Sequence, residues 1–204
     1  MLFYPTYFSP IIHYVGLVKC DQVIFEIEDH YQKQTYRTRC YIYGANGRQL
    51  LNIPVQHGTK SRKTKDILID NSFPWEKQHL KAIQSAYRSS PFFEFYEDDL
   101  NRLFEKIPPF LLDFNFKCQE LVLEFLQLEI TYNKTKEYFT KYTETDDLRS
   151  FADAKSSKIF GLKSYTQVFS DKHGFIENLS ILDLLFMEGS NALNYLENQN
   201  IEFV

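Results

Sequence analysis

Leu2-Phe3-Tyr4-Pro5-Thr6-Tyr7-Phe8-Ser9-Pro10-Ile11-Ile12-His13-Tyr14-Val15-Gly16-Leu17-Val18-Lys19-Cys20-Asp21-Gln22-Val23-Ile24-Phe25-Glu26-Ile27-Glu28 decides the fold class. Leu2 to Tyr4 forms a short apolar strand that Pro5 ends. Pro10 then opens a helix carrying Ile11, Ile12, Val15, Leu17 and Val18 toward a core. Val23, Phe25 and Ile27 alternate with Gln22, Glu26 and Glu28 in a second strand, and Ile24, breaking the polar face, predicts cover on both sides. A strand, a short helix and a strand in so few residues predict a βαβ start with a parallel pair.

Beyond that unit, Arg39, Tyr41 and Tyr43 share one face of a third strand and Cys40 and Ile42 the other. Asn46-Gly47 is the strongest turn signal in the chain, so Leu50 to Val55 is expected to pair back as a hairpin with Pro54 near an edge or strand end. Residues 58–65 contain no apolar side chain and read as a solvated loop before a short strand, Ile67-Leu68-Ile69. Pro74 starts a helix on which Trp75, His79, Ile83 and Tyr87 recur every four residues. A second helix follows from about Pro91 to Phe104. After Pro108-Pro109 comes the longest amphipathic helix, Leu111 to Leu128, with Leu111, Phe114, Cys118, Leu121, Val122 and Phe125 on its buried stripe. Residues 137–150 read as a long polar loop, which in a compact domain is more often functional or mobile than idle. Ser180-x-x-Asp183 caps a last apolar helix that Gly189 ends, and a short helix from Asn191 to Glu197 closes the pattern. The expected architecture is α/β in one domain over residues 1–204. Residues 1–72 are mostly sheet, a small mixed β-sheet with a βαβ start and a hairpin, and residues 73–204 form a helical C-terminal half packed on it.

With 204 residues, 44% hydrophobic and 25% charged, the chain can bury one good core. A net charge of −4 gives no general affinity for nucleic acid. Cys20, Cys40 and Cys118 are odd in number and widely spaced, which argues against a disulfide frame or a zinc knuckle and suits small thiols in a reducing compartment. The start of the chain lacks a basic leader, and no run of apolar residues is long enough for a membrane span, so the expected location is cytoplasmic. His13, His30, His57, His79 and His173 show no ligand spacing for a metal, and no cofactor is expected. A Gly-x-Ser-x-Gly elbow is also missing.

Asp29-His30-Tyr31-Gln32-Lys33-Gln34-Thr35-Tyr36-Arg37-Thr38-Arg39 crowds a carboxylate, three cations, an imidazole and phenols into one segment just after a strand. Lys33, Arg37 and Arg39 suit phosphate or carboxylate oxygens, the guanidinium through paired hydrogen bonds, and the interleaved Tyr31, Tyr36 and Tyr41 offer flat faces to a sugar or base ring. A solvated charged turn is the competing reading. Lys60, Arg62, Lys63 and Lys65 suit closure over a diphosphate, although such charge runs are more often soluble surface. His79, on a face with Trp75, Ile83 and Tyr87, is a candidate general base whose protonation burial would shift; a satisfied core histidine is the alternative. His13 sits one turn into a helix after a strand, where ligand-facing residues of α/β sheets often lie, although a surface or helix-capping role is the commoner reading. Asp29 is a candidate to orient a histidine or accept a ligand hydroxyl, with a turn carboxylate as the equal alternative.

Pro5-Thr6-Tyr7-Phe8-Ser9-Pro10, Cys20-Asp21, Ile53-Pro54-Val55, Trp75-Glu76-Lys77-Gln78-His79, Ala86-Tyr87-Arg88-Ser89-Ser90-Pro91-Phe92-Phe93, Asp147-Leu148-Arg149 and Asn178-Leu179-Ser180-Ile181-Leu182-Asp183 occur in an order and spacing that resemble the WbqC-like protein family nearly end to end. The resemblance implies a place in bacterial surface-polysaccharide assembly. The opening is also similar, more distantly, to nucleotidylyltransferases, with Tyr7, His13 and Asp21-Gln22-Val23 at matching steps but no paired His-x-Gly-His.

The leading expectation is transfer of an acyl or aminoacyl group to the amine of a nucleotide-linked amino sugar. His79, His13 and Asp29 would be its catalytic residues, with Tyr7, Tyr31, Lys33, Arg37, Arg39, Lys60, Arg149 and Asn178 on the substrate. The alternative is a non-catalytic binding protein for a nucleotide sugar or similar small anionic ligand, and a third reading is a subunit that docks a polysaccharide-pathway enzyme through its aromatic surface. The transferase expectation needs Tyr7, Lys33, Arg39, His79 and Arg149 in one cleft.

Overall fold

The computed structural model describes residues 1–56, 63–143, 145–156 and 158–201. Its opening is the expected unit. Strand β1 (Leu2–Phe3), helix α1 (Ile11–Val18) and strand β2 (Val23–Phe25) form a parallel βαβ, with Leu2 opposite Ile24 and Phe3 opposite Phe25. β2 is the central strand of its sheet, although Ile24, expected to be covered, is only half-buried. On its other side lies a third parallel strand, which the sequence pattern did not disclose: Tyr132-Asn133-Lys134 is short and polar, and the ladder from β2 makes it a strand.

Helix α1 is buried from Ile11 to Leu17, so it has no solvent face rather than one apolar stripe. Pro10 at its start has no capping side chain, and the orphan N–H groups find partners from a distant part of the chain. Ile11 N–H donates to the Leu179 carbonyl (3.0 Å) and Ile12 N–H to Asn178 Oδ1 (2.9 Å). Gly16 lets the helix lie on β1, since a methyl there would come within 3.0 Å of the Phe3 ring.

Strands β3 (Arg39–Gly44) and β4 (Gly47–Asn52) form the expected hairpin as a separate antiparallel pair. The strands therefore fall into two small sheets rather than one mixed sheet, and the fold remains α/β. Gly44 pairs with Gly47, so Ala45 and Asn46 make the turn and β4 begins earlier than Leu50. Ile67 to Ile69 is not a strand: Leu68 bridges Phe110 and Ile69 bridges Val55 as isolated pairs, too few for a ladder.

Helices α2 (Trp75–Tyr87), α3 (Phe93–Glu105) and α4 (Leu111–Phe125) follow the sequence periods. α4 stops short of Leu128 because Gln127 turns the chain at positive φ (53°). Its buried side also carries polar groups, each with one partnered atom, while Asn115 Oδ1 and Gln119 Nε2 have no hydrogen-bond partner among the described residues. Asn115 donates to the Arg37 carbonyl (3.0 Å), and Gln119 Oε1 accepts from the Tyr14 hydroxyl (3.3 Å). β5 (Tyr132–Lys134) is followed by irregular chain and then by α5 (Ser170–His173), α6 (Ile181–Glu188) and α7 (Ala192–Glu197).

Ser180 caps α6 by accepting from Leu182 N–H (3.3 Å). Asp183 does not close the capping box; it is buried and accepts from Tyr87 (2.7 Å), Tyr165 (2.5 Å) and Gln167 (2.9 Å). Cys40 and Cys118 are buried free thiols and Cys20 is half-buried. Among the described residues no helix is long and apolar enough to cross a membrane.

The last turn of the 137–150 loop extends the parallel sheet beyond β1. Leu2 N–H donates to the Asp146 carbonyl (2.8 Å) and Leu148 N–H to the Leu2 carbonyl (2.9 Å), making Leu2 and Asp147 a parallel bridge. Tyr4 after β1, Glu26 to Asp29 after β2 and Arg149 after the bridge thus emerge together at the carboxyl ends of parallel strands. Open α/β sheets present ligand sites at that edge.

Candidate functional site at the carboxyl edge of the parallel sheet

A hollow of about 550 Å³ opens at this edge, between the 32–37 segment and the stretches 138–140 and 147–155. Its floor is ionic but largely self-neutralised. Arg37 is buried and places Nη2 2.6 Å from Asp29 Oδ2, with a second N–H on the Thr35 hydroxyl at 3.3 Å. Its guanidinium also lies 3.7 Å from the centre of the Tyr4 ring. Burial pushes the Asp29 carboxyl up, and the Arg37 charge opposes that shift. The Tyr4 hydroxyl is pushed up to about 12, by burial first and then by the Asp29 charge.

Arg149 forms the second floor guanidinium. It grips Asp147 through Nε (2.8 Å) and Nη2 (2.5 Å), and donates to the carbonyls of Phe139 (2.7 Å) and Thr140 (3.2 Å). Glu26 lies 3.8 Å away. Every nitrogen of this side chain is committed, so Arg149 holds the 137–150 loop to the sheet edge. Burial raises the Asp147 carboxyl, but the hydrogen bonds from Arg149 outweigh it and leave the group below its ordinary value.

The rim differs. Lys33 and Lys155 are exposed and, among the described residues, no carboxylate pairs with either. Gln32, Gln34 and Tyr138 stand beside them, and Gln34 has a positive φ of 64°, unusual outside glycine. The hollow thus offers two unneutralised ammonium groups, amide and hydroxyl partners, and two phenol rings.

A second hollow of about 370 Å³ continues from the first, sharing Ser150 and Asp153 with it. Arg48, Tyr36, Phe151, Lys158, Phe160 and Asn178 are on its wall. Asn178 takes part while its Oδ1 caps α1.

The expected site residues divide accordingly. Lys33, Arg37 and Arg149 share the first hollow, with Asp29 paired beneath, and Asn178 borders the second. Tyr31 and Arg39 are half-buried on the neighbouring segment and line neither hollow. Tyr7 and His79 are in the core, the Tyr7 hydroxyl 2.9 Å from His79 Nδ1, with Trp75 and Phe114 packed around them. Burial lowers His79 to about 4, and a hydrogen bond to the Asn52 backbone only partly restores it. His13 is buried against Phe3, with burial lowering it to about 3. The convergence of Tyr7, Lys33, Arg39, His79 and Arg149 on one cleft is therefore corrected: Lys33 and Arg149 line the same hollow, Arg39 lines neither, and Tyr7 and His79 are drawn into the core by their apolar neighbours. Lys60 lies outside the described residues.

Arg48, Lys155 and Lys158 escaped sequence reasoning. Arg48 is one cation after a turn, and the two lysines sit in a stretch with no period. Only the unassigned polarity of residues 153–158 hinted at them.

Comparison with known proteins agrees in outline. The model of the WbqC-like protein family matches residues 5–160. The uncharacterized protein Rv1507c of Mycobacterium tuberculosis is 26% identical over 206 residues, covering 86% of this chain and 87% of that protein. No solved structure matches the chain.

Proposed function

The chain belongs to the WbqC-like protein family, and from that premise we propose that it binds a small anionic sugar derivative, of the nucleotide-linked amino-sugar class, in the hollow at the carboxyl edge of its parallel sheet. One observation carries this reading: two guanidinium groups are buried and paired beneath the hollow, whereas Lys33 and Lys155 at its rim have no carboxylate partner among the described residues. The paired floor supplies shape, and the rim supplies uncompensated positive charge. Amide and hydroxyl groups between them suit sugar hydroxyls, and the rings of Tyr4 and Tyr138 suit a sugar face. A cytoplasmic role in surface-polysaccharide assembly accords with this ligand class. Because strand and helical halves both contribute walls, we treat residues 1–204 as one working unit.

Binding is the function that the geometry supports best. Transfer of an acyl or aminoacyl group to the sugar amine remains the further reading, and it needs a base in reach of that amine. His79 is held neutral, as a base must be, but its ring is buried and engaged by Tyr7. His79→Gln separates the two: retained binding with lost turnover supports transfer, and retained cellular function supports binding alone. Titration calorimetry with N-acetylglucosamine 1-phosphate tests the common premise. Saturable binding weakened roughly tenfold by Lys33→Ala, the ~1.4 kcal/mol of one charge-assisted contact, is expected. An absence of binding to the parent protein overturns it.

A further inference from the structure

Arg48 differs from the guanidinium groups of the first hollow. Its Nη2 donates to the Tyr36 hydroxyl (3.1 Å), and its guanidinium lies 3.6 Å from the centre of the Tyr41 ring. Yet it is exposed and, among the described residues, no carboxylate pairs with it. Two aromatic side chains thus hold a planar cation whose remaining N–H groups have no partner among the described residues, a pre-organised anion anchor with most of its ordering cost already met. Lys158 stands on the same wall over the Phe160 ring (5.5 Å), and Phe160 packs edge-on against Phe151 (5.5 Å).

Two carboxylates also border this hollow. Glu177 is taken up by the backbone N–H groups of Phe160 (3.1 Å) and Leu162 (2.6 Å). Asp153 lies at the junction, where both hollows include it, with one oxygen on Lys155 N–H at 2.9 Å. Asn178, on the same wall, is held at positive φ (57°).

We infer that the second hollow is a nucleoside diphosphate subsite, with Arg48 and Lys158 on the phosphates and the aromatic wall around Phe160 against the base, so that a sugar nucleotide lies across both hollows. This inference rests on the reading of the first hollow as the sugar subsite. The chemistry fits the division of labour. Arg48, held by the Tyr36 hydroxyl and the Tyr41 ring, and Lys158 beside Phe160 suit a phosphorylated base, whereas the first hollow adds amide, hydroxyl and carboxylate partners for a sugar to its two ammonium groups.

Calorimetric titrations of the full chain with uridine diphosphate, guanosine diphosphate, inorganic pyrophosphate, N-acetylglucosamine 1-phosphate and uridine diphosphate N-acetylglucosamine test this. The complete sugar nucleotide is expected to bind more tightly than the sugar phosphate, and at least one nucleoside diphosphate more tightly than pyrophosphate. Arg48→Ala and, independently, Lys158→Ala are expected to weaken the nucleoside diphosphate and the sugar nucleotide about tenfold or more, leaving the sugar phosphate unchanged. Both side chains are exposed, and unchanged thermal melts would establish that the variants fold. Lys33→Ala is expected to weaken the sugar phosphate and leave the nucleoside diphosphate unchanged. Sugar phosphate binding that gains nothing from an added nucleotide, or an Arg48→Ala variant with parental affinities throughout, overturns the second subsite and leaves the first standing. Loss of sugar phosphate binding in the parent protein overturns the underlying reading instead. Pyrophosphate binding as tightly as either nucleoside diphosphate reduces the site to a phosphate anchor and refutes the base-binding wall.

Discussion

Asp29 and Arg37 meet at 2.6 Å with both side chains closed off from solvent, directly beneath the Tyr4 ring. The pair supports the floor of the hollow, and among the described residues Arg37 Nε and Asp29 Oδ1 have no hydrogen-bond partner. Breaking one half leaves the other charged and buried, which costs about 3–5 kcal/mol. Urea melts of Arg37→Met and Asp29→Leu are expected to show losses of this size. The double variant is expected to lose less than the sum of the two, and additive losses would mean that the residues do not act as a pair.

Arg149 joins Asp147 to the carbonyls of Phe139 and Thr140. Lysine keeps the charge but not the fork of donors, so Arg149→Lys is expected to cost roughly 2 kcal/mol. Its sharper signature is local: amide hydrogen exchange in residues 138–143 is expected to accelerate more than in α2 or α4. Uniform acceleration would argue against a strap.

His13 and His79 give acid sensitivity. Unfolded histidine takes up its proton near 6.5, whereas burial delays uptake to about 3 for His13 and about 4 for His79. Within that interval the unfolded chain binds more protons, so this contribution to stability is complete above pH 6.5 and declines as the pH falls toward 4, then toward 3. At 1.36 kcal/mol per unit the decline reaches roughly 2 kcal/mol per histidine by pH 5. Asp29 and Asp183, whose carboxyls burial pushes up, act in the opposite sense. Urea melts at pH 7.5 and 5 on the parent and on His13→Gln isolate the histidine effect, and an unchanged pH difference would contradict it.

Tyr7→Phe removes the hydroxyl that faces His79 Nδ1 and is expected to destabilise by about 1–2 kcal/mol, because a buried ring nitrogen loses its partner. Affinity for N-acetylglucosamine 1-phosphate is expected to remain parental. Weakened binding at unchanged stability would bring the Tyr7–His79 pair back to the site.

Local pattern carried much of the architecture. Pro5 and Pro10 bracket the change from strand to helix, the four-residue recurrence of Trp75, His79, Ile83 and Tyr87 marks α2, and the apolar Val23-Ile24-Phe25 marks a central strand. Such features depend on neighbours in sequence and on periodic burial. β5 escaped because a polar three-residue strand owes its state to the partner that offers it hydrogen bonds. The cap on α1 escaped because Asn178 reaches Ile12 from the other end of the chain.

The same distinction runs through the site. Residue order by itself determined the α/β class, the family and a cation-rich segment after β2, since composition and period are properties of the chain alone. Only the tertiary structure decided which cations remain available. Arg37 and Arg149 are neutralised by Asp29 and Asp147, whereas Lys33, Arg48 and Lys155 have no carboxylate partner among the described residues. The reason is physical: a charge acts on a ligand only after its nearest opposite charge and its hydration are accounted for, and both are set by folding.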